Sequence, residues 1–404
     1  MKYIVILGDG MADYPVPQLN NKTPLQFAKK PNIDFLARHG EIGMVKTVPE
    51  GLPPGSDVAN LSVMGYDPKL YYTGRSPLEA VSMGIELSDS DVALRCNLVT
   101  LSEDTEYSEK IMIDYSSDEI TSEESSELIK EINKHFKTQN ITFHPGISYR
   151  HCLVWENGPI GLNLTPPHDI LEKKISEYLP KGEVNSLLLK MMVESYNILK
   201  DHPVNLSRIK RGLKPANSIW IWGEGKKPSI PLFKEKYNIK GSVISAVDLI
   251  KGIGICAGLK SIDVEGTTGN IHTNFKGKAN AALEELASGQ DFVYVHVEAP
   301  DECGHRYEIE NKVKSIELID DLVVGTIING LEKFHDYRIM VLPDHPTPLS
   351  LRTHTSEPVP YLIYQKSREK AANINGYDEF EAQKTDRIFD TGYALMNYFI
   401  QSKR

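Results

Sequence analysis

Apolar residues in this chain gather in short runs, and several of those runs end on a carboxylate. Residues 2–8 (KYIVILG) are almost continuously apolar and β-branched, the pattern of a central strand in a parallel sheet buried on both faces. Residues 292–298 (FVYVHVE) and 338–343 (RIMVLP) repeat that pattern. Helical spacing appears in LQFAKKPNIDFLARHG, broken near Pro31, and in DVANLSVMGY. The second of these follows the Gly- and Pro-rich loop VPEGLPPGSDV, which sets Ser56 at or near a helix N-terminus.

The middle of the chain has a different character. Residues 102–140 are rich in Ser, Glu and Asp, with an amphipathic helix at ELIKEINKHF whose acidic face reads as solvated. SYRHCLVWENG reads as a strand, and LLLKMMVESYNIL as a helix whose Met191 and Met192 serve packing. From about residue 241, SVISAVDLIKGIGICAGL returns to alternating strand and helix. The simplest arrangement is an α/β core built from both ends of the chain, residues 1–92 and 236–404, with a smaller α/β domain inserted at 93–235. A length of 404 residues suits that division.

Composition narrows the functions. A net charge of −10 argues against a broad nucleic-acid face, although a local basic pocket can still take an acidic substrate. Cys96, Cys152, Cys256 and Cys303 show no paired spacing and read as reduced thiols. No run reaches the ~18 apolar residues that would span a bilayer. The N-terminal strand leads straight into Gly-Asp-Gly, unlike a signal peptide. A soluble cytoplasmic protein without a membrane partner is expected, and self-association into a homo-oligomer is compatible with the sequence.

The carboxylates at the strand ends carry the chemistry. Asp9 follows the first strand, Asp301 and His305 form an Asp-x-x-x-His pair in APDECGH, Asp344 and His345 are adjacent in VLPDHP, and His354 follows. In open α/β sheets, sites form where the carboxyl ends of strands meet. Carboxylates gathered there repel one another, and a divalent cation relieves the repulsion. The i, i+4 spacing puts Asp301 and His305 on one helix face. Adjacent Asp344 and His345 are expected to point to two different positions. Mixed carboxylate and imidazole donors suit Mn²⁺ or Zn²⁺, while Mg²⁺ takes fewer histidines. Each motif alone is weak, since Asp-Gly is usually a turn and a lone Asp-x-x-x-His is usually surface. Their order and strand-end placement together predict a two-metal phosphoryl-transfer site, with Ser56 as nucleophile and two ions about 4 Å apart.

At this point the chain resembles the archaeal-type cofactor-independent phosphoglycerate mutases of the alkaline phosphatase superfamily. LGDGMAD, TPLQFAKKPNIDFLARHGEIG, PPGSDVANLSVMGYDP, YYTGRSPLEA, ALRCNLVT, SYRH, PAN, LIKGIG, APDECGH and PDHPTP all occur in the family's order, over nearly the whole chain. The resemblance implies an alkaline-phosphatase-like core with a mostly parallel central sheet flanked by helices. It implies an inserted domain that carries substrate groups and closes over that core. It assigns Asp9, Ser56, Asp344 and His345 to one metal site, and Asp301, His305 and His354 to the other. Ser56 matches the serine that takes phosphate from one substrate hydroxyl and returns it to the neighbouring one. Arg75, Arg95, Asn97, Arg150 and His151 match positions that line a phosphate and carboxylate pocket, and Lys251 is a weaker candidate of that kind.

Three departures bear on the substrate. Trp222 stands where an arginine is expected, Glu298 where a lysine is expected, and Asn60 where a histidine often lies four residues after the serine. These departures look like a bacterial subgroup proposed to be homoserine kinases, for which Glu298 could face the substrate ammonium. No Gly-x-x-x-x-Gly-Lys-Ser/Thr loop for a nucleotide donor is present. The resemblance therefore implies a small phosphorylated substrate, phosphoglycerate, with homoserine as the alternative. A plain metal-dependent phosphatase and a non-catalytic metal-binding protein are further alternatives, the latter needing no Ser56.

Overall fold

The computed structural model describes residues 1–103 and 106–401. They form two compact units, Met1–Tyr72 with Ser229–Arg404, and Thr73–Pro228.

The first unit is built on an eight-stranded sheet in the order Ile388–Phe389, Glu41–Val45, Val359–Gln365, Tyr337–Leu342, Lys2–Gly8, Phe292–Val297, Gly241–Ile244, Lys260–Ile262. Only Val359–Gln365 runs antiparallel to its neighbours. The strands read from apolar runs hold the middle of the sheet, because a run with no polar alternation must be covered on both faces. Ile4 to Leu7, Phe292 to Val295 and Ile339 to Leu342 are all fully buried. Parallel register then fixes what leaves the sheet at one edge. Gly8 pairs with Val297, and Leu7 with Leu342. The residues after those pairs, Asp9, the Ala299–His305 helix and Asp344, therefore emerge side by side.

Helices cover the sheet. Pro31–Arg38 buries Ile33, Leu36 and Ala37, spaced for one face, and is separated from Pro24–Phe27 as Pro31 predicts. The shorter helix is opened by Thr23 and Gln26, which cap each other's backbone amides. Ser56–Val63 begins on Ser56 itself.

The second unit is an antiparallel sheet in the order Met112–Asp114, Val92–Leu101, Arg150–Trp155, Ile141–His144, with Ser218–Lys226 also paired to Val92–Leu101. Ser122–Phe136 is capped by Thr121 and buries Ser125, Leu128, Ile129 and Ile132 at helical spacing. Glu123 and Glu124 in its first turn, and Lys134 and His135 in its last, suit the helix dipole. Ser186–Leu199 packs against Ser218–Lys226, with Met191 and Met192 in the core.

This unit begins at Thr73 and ends at Pro228, whereas the sequence placed its limits at 93 and 235. The reason is the short helix Ser76–Ser82, which packs on Val92–Leu101 and Ser218–Lys226. Ser76 Oγ donates to the Gly223 carbonyl, and Glu79 pairs with Arg95 at 2.8 Å. Those contacts join residues distant in sequence, so local composition does not mark the boundary.

Candidate active site

Two clusters of ligand-type side chains lie at the carboxyl edge of the first unit's sheet. Asp9, Asp344 and His345 form one and Asp301, His305 and His354 the other, each with donor atoms within 4.8 Å of one another. Gly10 lets them approach. It has φ +63°, and a Cβ there would lie 2.8 Å from Asp301 Cα and 2.6 Å from Thr347 Oγ1. Gly304 does the same for the 299–305 helix, where a Cβ would lie 2.6 Å from the Thr347 carbonyl oxygen.

In the first cluster, His345 Nε2 is 3.5 Å from Asp9 Oδ1 and 3.4 Å from Asp344 Oδ2. It is also 3.1 Å from Ser56 Oγ. Asp344 and His345 thus converge, contrary to the divergence expected of adjacent residues. Alternation stops with the strand at Leu342, and the His345 amide donates to Asp344 Oδ1 at 2.9 Å, curling the carboxylate back. In the second cluster, His305 Nε2 lies 3.3 Å from Asp301 Oδ2 and His354 Nε2 lies 3.3 Å from Asp301 Oδ1. Thr347 joins the two: its hydroxyl donates to Asp301 Oδ1 and sits 3.3 Å from His345 Nδ1.

The electrostatics of the clusters differ. Burial, then Asp344, Asp301 and Glu298, push the Asp9 carboxyl well above the usual carboxylate range. Burial also acts on Asp301, but hydrogen bonds from His305 and His354 outweigh it and hold that carboxyl well below the usual range. Its partner His305 is raised to about 9, chiefly by the hydrogen bond to Asp301. Burial lowers His345. Asp9 Oδ1 is buried with no hydrogen-bond partner among the described residues. A buried, unpartnered carboxylate oxygen among other carboxylates is a position that suits a cation. Both donor sets, carboxylate oxygen with imidazole nitrogen, fit divalent metal ions.

Several supporting residues are absent from the sequence reading. His296 Nε2 lies 2.9 Å from Asp9 Oδ2, and its Nδ1 lies 3.1 Å from Ser245 Oγ. Burial holds His296 well below its ordinary value, so a neutral ring donates to Asp9 and accepts from the serine. One histidine inside an otherwise apolar strand was the available signal. Lys312 Nζ, fully buried, bonds Asp13 Oδ2 at 2.7 Å and the Thr347 carbonyl at 2.8 Å. Asp13 in turn accepts from the Leu349 amide. This pair anchors the loop that carries Asp344, His345 and Thr347.

The expected substrate contacts separate. Arg95, Asn97 and Arg150 line one cavity of about 280 Å³ in the second unit, together with Tyr115, Tyr149, His168 and Trp222. His151 does not join them. Strand alternation leaves Arg150 exposed and turns His151 into the interior, where Nδ1 accepts from the Gly146 amide at 3.0 Å. Arg75 is exposed and lies 3.9 Å from Glu79. Lys251, in the first unit, pairs with Asp263 at 2.6 Å. Trp222 lines the cavity and donates its indole N–H to Asn97 Oδ1 at 3.0 Å. Asn60 is fully buried and faces Asp344, so its contacts are internal. No helix among the described residues is long and apolar enough to cross a membrane.

Comparison with known proteins gives a consistent result. A sequence model of the family described as 2,3-bisphosphoglycerate-independent phosphoglycerate mutase matches residues 37–205. A Geobacter sulfurreducens protein named "Probable 2,3-bisphosphoglycerate-independent phosphoglycerate mutase" is 52% identical, over 99% of this chain and 100% of its own length. A Methanothrix thermoacetophila protein named 2,3-bisphosphoglycerate-independent phosphoglycerate mutase is 50% identical over 95% of each chain. The solved structure of a cofactor-independent phosphoglycerate mutase from Thermoplasma acidophilum superposes with a TM-score of 0.69 at 26% identity, covering 99% of both chains.

Proposed function

This chain belongs to the 2,3-bisphosphoglycerate-independent phosphoglycerate mutase family, and on that footing we propose that it interconverts 3-phosphoglycerate and 2-phosphoglycerate through a phosphoserine at Ser56. The observation that carries the reading is the 3.1 Å contact of Ser56 Oγ with His345, within a cluster suited to a cation. Asp9, Ser56, Asp344 and His345 would hold one divalent ion and Asp301, His305 and His354 a second, Mn²⁺ or Zn²⁺ being the ions these donors favour. Bound there, such ions supply positive charge to phosphoryl oxygens and make a coordinated hydroxyl more acidic.

The chain's own residues do the rest. His296 and Asn60 hold Asp9 and Asp344 in place. In the first half-reaction Ser56 Oγ bonds to phosphorus and loses its proton, the bond from phosphorus to the substrate's 3-oxygen breaks, and that oxygen takes a proton. The second half-reaction runs in reverse at the 2-hydroxyl, so no external donor is consumed. Arg95, Asn97 and Arg150 are proposed to bind the substrate's anionic groups, since a guanidinium fork matches carboxylate and phosphate. The inserted unit is in this sense the substrate-recognition unit. A cytoplasmic setting goes with this role, and the four cysteines are unpaired and buried.

The test is conversion of 3-phosphoglycerate by metal-loaded protein, with acid-quenched, metal-freed samples read by phosphorus NMR. Wild type should form 2-phosphoglycerate, and Ser56→Ala should lose at least about a thousandfold in rate. Release of inorganic phosphate in place of 2-phosphoglycerate would overturn the mutase reading.

A further inference from the structure

The cavity of the inserted unit has a device built around Trp222. Arg95 places its guanidinium 4.5 Å from the centroid of the Trp222 ring, and its Nε bonds Glu79 Oε2 at 2.8 Å. An aromatic face holds a guanidinium without adding a counter-charge of its own, and the Glu79 pair is made through Nε alone. The indole N–H of Trp222 donates to Asn97 Oδ1, and Asn97 Nδ2 donates to the Tyr115 carbonyl at 3.3 Å. Oδ1 is thereby occupied and the orientation of the amide is set, with one of its two N–H groups used by Tyr115. Asn97 and Trp222 are 3% and 8% exposed, so neither is held by solvent. Burial and the neighbouring guanidiniums of Arg75 and Arg150 weaken the charged form of Arg95, with Glu79 acting the other way. An arriving anion relieves that cost.

We propose that Trp222 is a positioning residue for anion recognition: its ring face orients Arg95, and its N–H turns the donor edge of Asn97 to the cavity. Arg95, Asn97 and Arg150 then take one small anion, a carboxylate or a phosphate. The link to phosphoglycerate rests on the function proposed above, whereas the anion site itself does not.

Two variants separate the roles. Trp222→Phe keeps a ring face and drops the N–H, and Trp222→Leu drops both. KM for 3-phosphoglycerate should rise about three- to tenfold in the first, and about tenfold to a hundredfold in the second. In both, kcat should stay within about twofold, as for lost uniform binding. A structural role alone would lower kcat, or leave KM unchanged, and either result overturns the inference. Where Trp222→Leu does not fold, Trp222→Phe decides.

The direct readout is the indole N–H resonance of Trp222 in the full-length protein, assigned by its loss in Trp222→Phe. It is followed during titration with inorganic phosphate, acetate and 3-phosphoglycerate. A saturable shift with phosphate marks a phosphate subsite, and one with acetate marks a carboxylate subsite. Either shift should vanish in Arg95→Met. No shift with any of the three anions, or a shift unchanged in Arg95→Met, overturns the proposal. If the chain fails to turn over 3-phosphoglycerate, this titration still decides the anion site. If turnover is present while the resonance is unmoved, the anion site falls and the mutase reading stands.

Discussion

Asn60 Nδ2 donates to Asp344 Oδ2 at 2.8 Å and to the backbone carbonyl of Ser56 at 2.8 Å. One amide thus ties the helix that begins on Ser56 to a carboxylate of the first cluster. Tyr294, buried in the central strand, donates its hydroxyl to Asn60 Oδ1 at 2.7 Å and sets the direction of that amide. Asn60→Ala removes all three bonds inside a fully buried site. A loss of about 1–3 kcal/mol in stability is expected from the stranded partners. Metal affinity should fall about ten- to a hundredfold, as for the loss of a residue that orients a ligand. Urea unfolding and calorimetric titration of metal into the stripped protein check the two numbers. Unchanged affinity would remove Asn60 from the supporting role.

The crowding of carboxylates predicts that metal and stability are linked. Burial, and then repulsion from Asp344 and Asp301, push the Asp9 carboxyl up, and a cation there would relieve both. Mn²⁺ at a hundred times its dissociation constant should add about 2.7 kcal/mol. Chelation should lower the melting temperature and abolish turnover, and added Mn²⁺ should restore both. Full activity in a metal-stripped preparation would contradict the metal assignment.

The Lys312–Asp13 pair is buried on both sides, at 0% and 1% side-chain exposure. Lys312→Met leaves the Asp13 carboxylate without its cation, which costs about 3–5 kcal/mol. The double variant Lys312→Met with Asp13→Asn should recover much of that loss. Thermal unfolding of the three proteins tests both statements. A single-variant loss below about 1 kcal/mol would mean that the pair does not anchor the 344–349 loop.

His151 gives a pH signature separate from the two ligand-type clusters. Burial lowers it from 6.5 to about 3, so the folded chain keeps the ring neutral. The unfolded chain takes up a proton near its ordinary value. This depressed group therefore contributes stability that is present above pH 6.5 and is lost as pH falls toward 3. Between pH 7 and pH 5 the loss amounts to roughly 2 kcal/mol. His151→Gln should flatten that part of the stability curve. Equal slopes for the two proteins in urea unfolding at several pH values would show that the ring titrates in the folded state.

The sequence was most legible where a continuous apolar run ends on a ligand-type side chain. The strands before Asp9, Asp301 and Asp344 could be read because two-sided burial leaves no polar alternation, and parallel register aligns the carboxylates at their carboxyl ends. The place of Ser56 at a helix start could be read from its loop-to-helix setting. Residues that act through tertiary contact were hidden. His296 and Tyr294 look like strand residues until the sheet brings them beside Asp9 and Asn60. Trp222 and Asn60, read as departures that bear on the substrate, are bonded to Asn97 and to Asp344. The turning of His151 into the core was available in principle, because its neighbour Arg150 occupies the opposite face of the same strand.

Phosphoryl transfer through Ser56 is tested by rapid acid quench during turnover of 3-phosphoglycerate, followed by peptide mass spectrometry. A phosphoryl group should appear on the Ser56 peptide in metal-loaded wild type, should be absent from the chelated protein, and should be absent from Ser56→Ala along with turnover. Sustained formation of 2-phosphoglycerate by Ser56→Ala would rule out transfer through that serine.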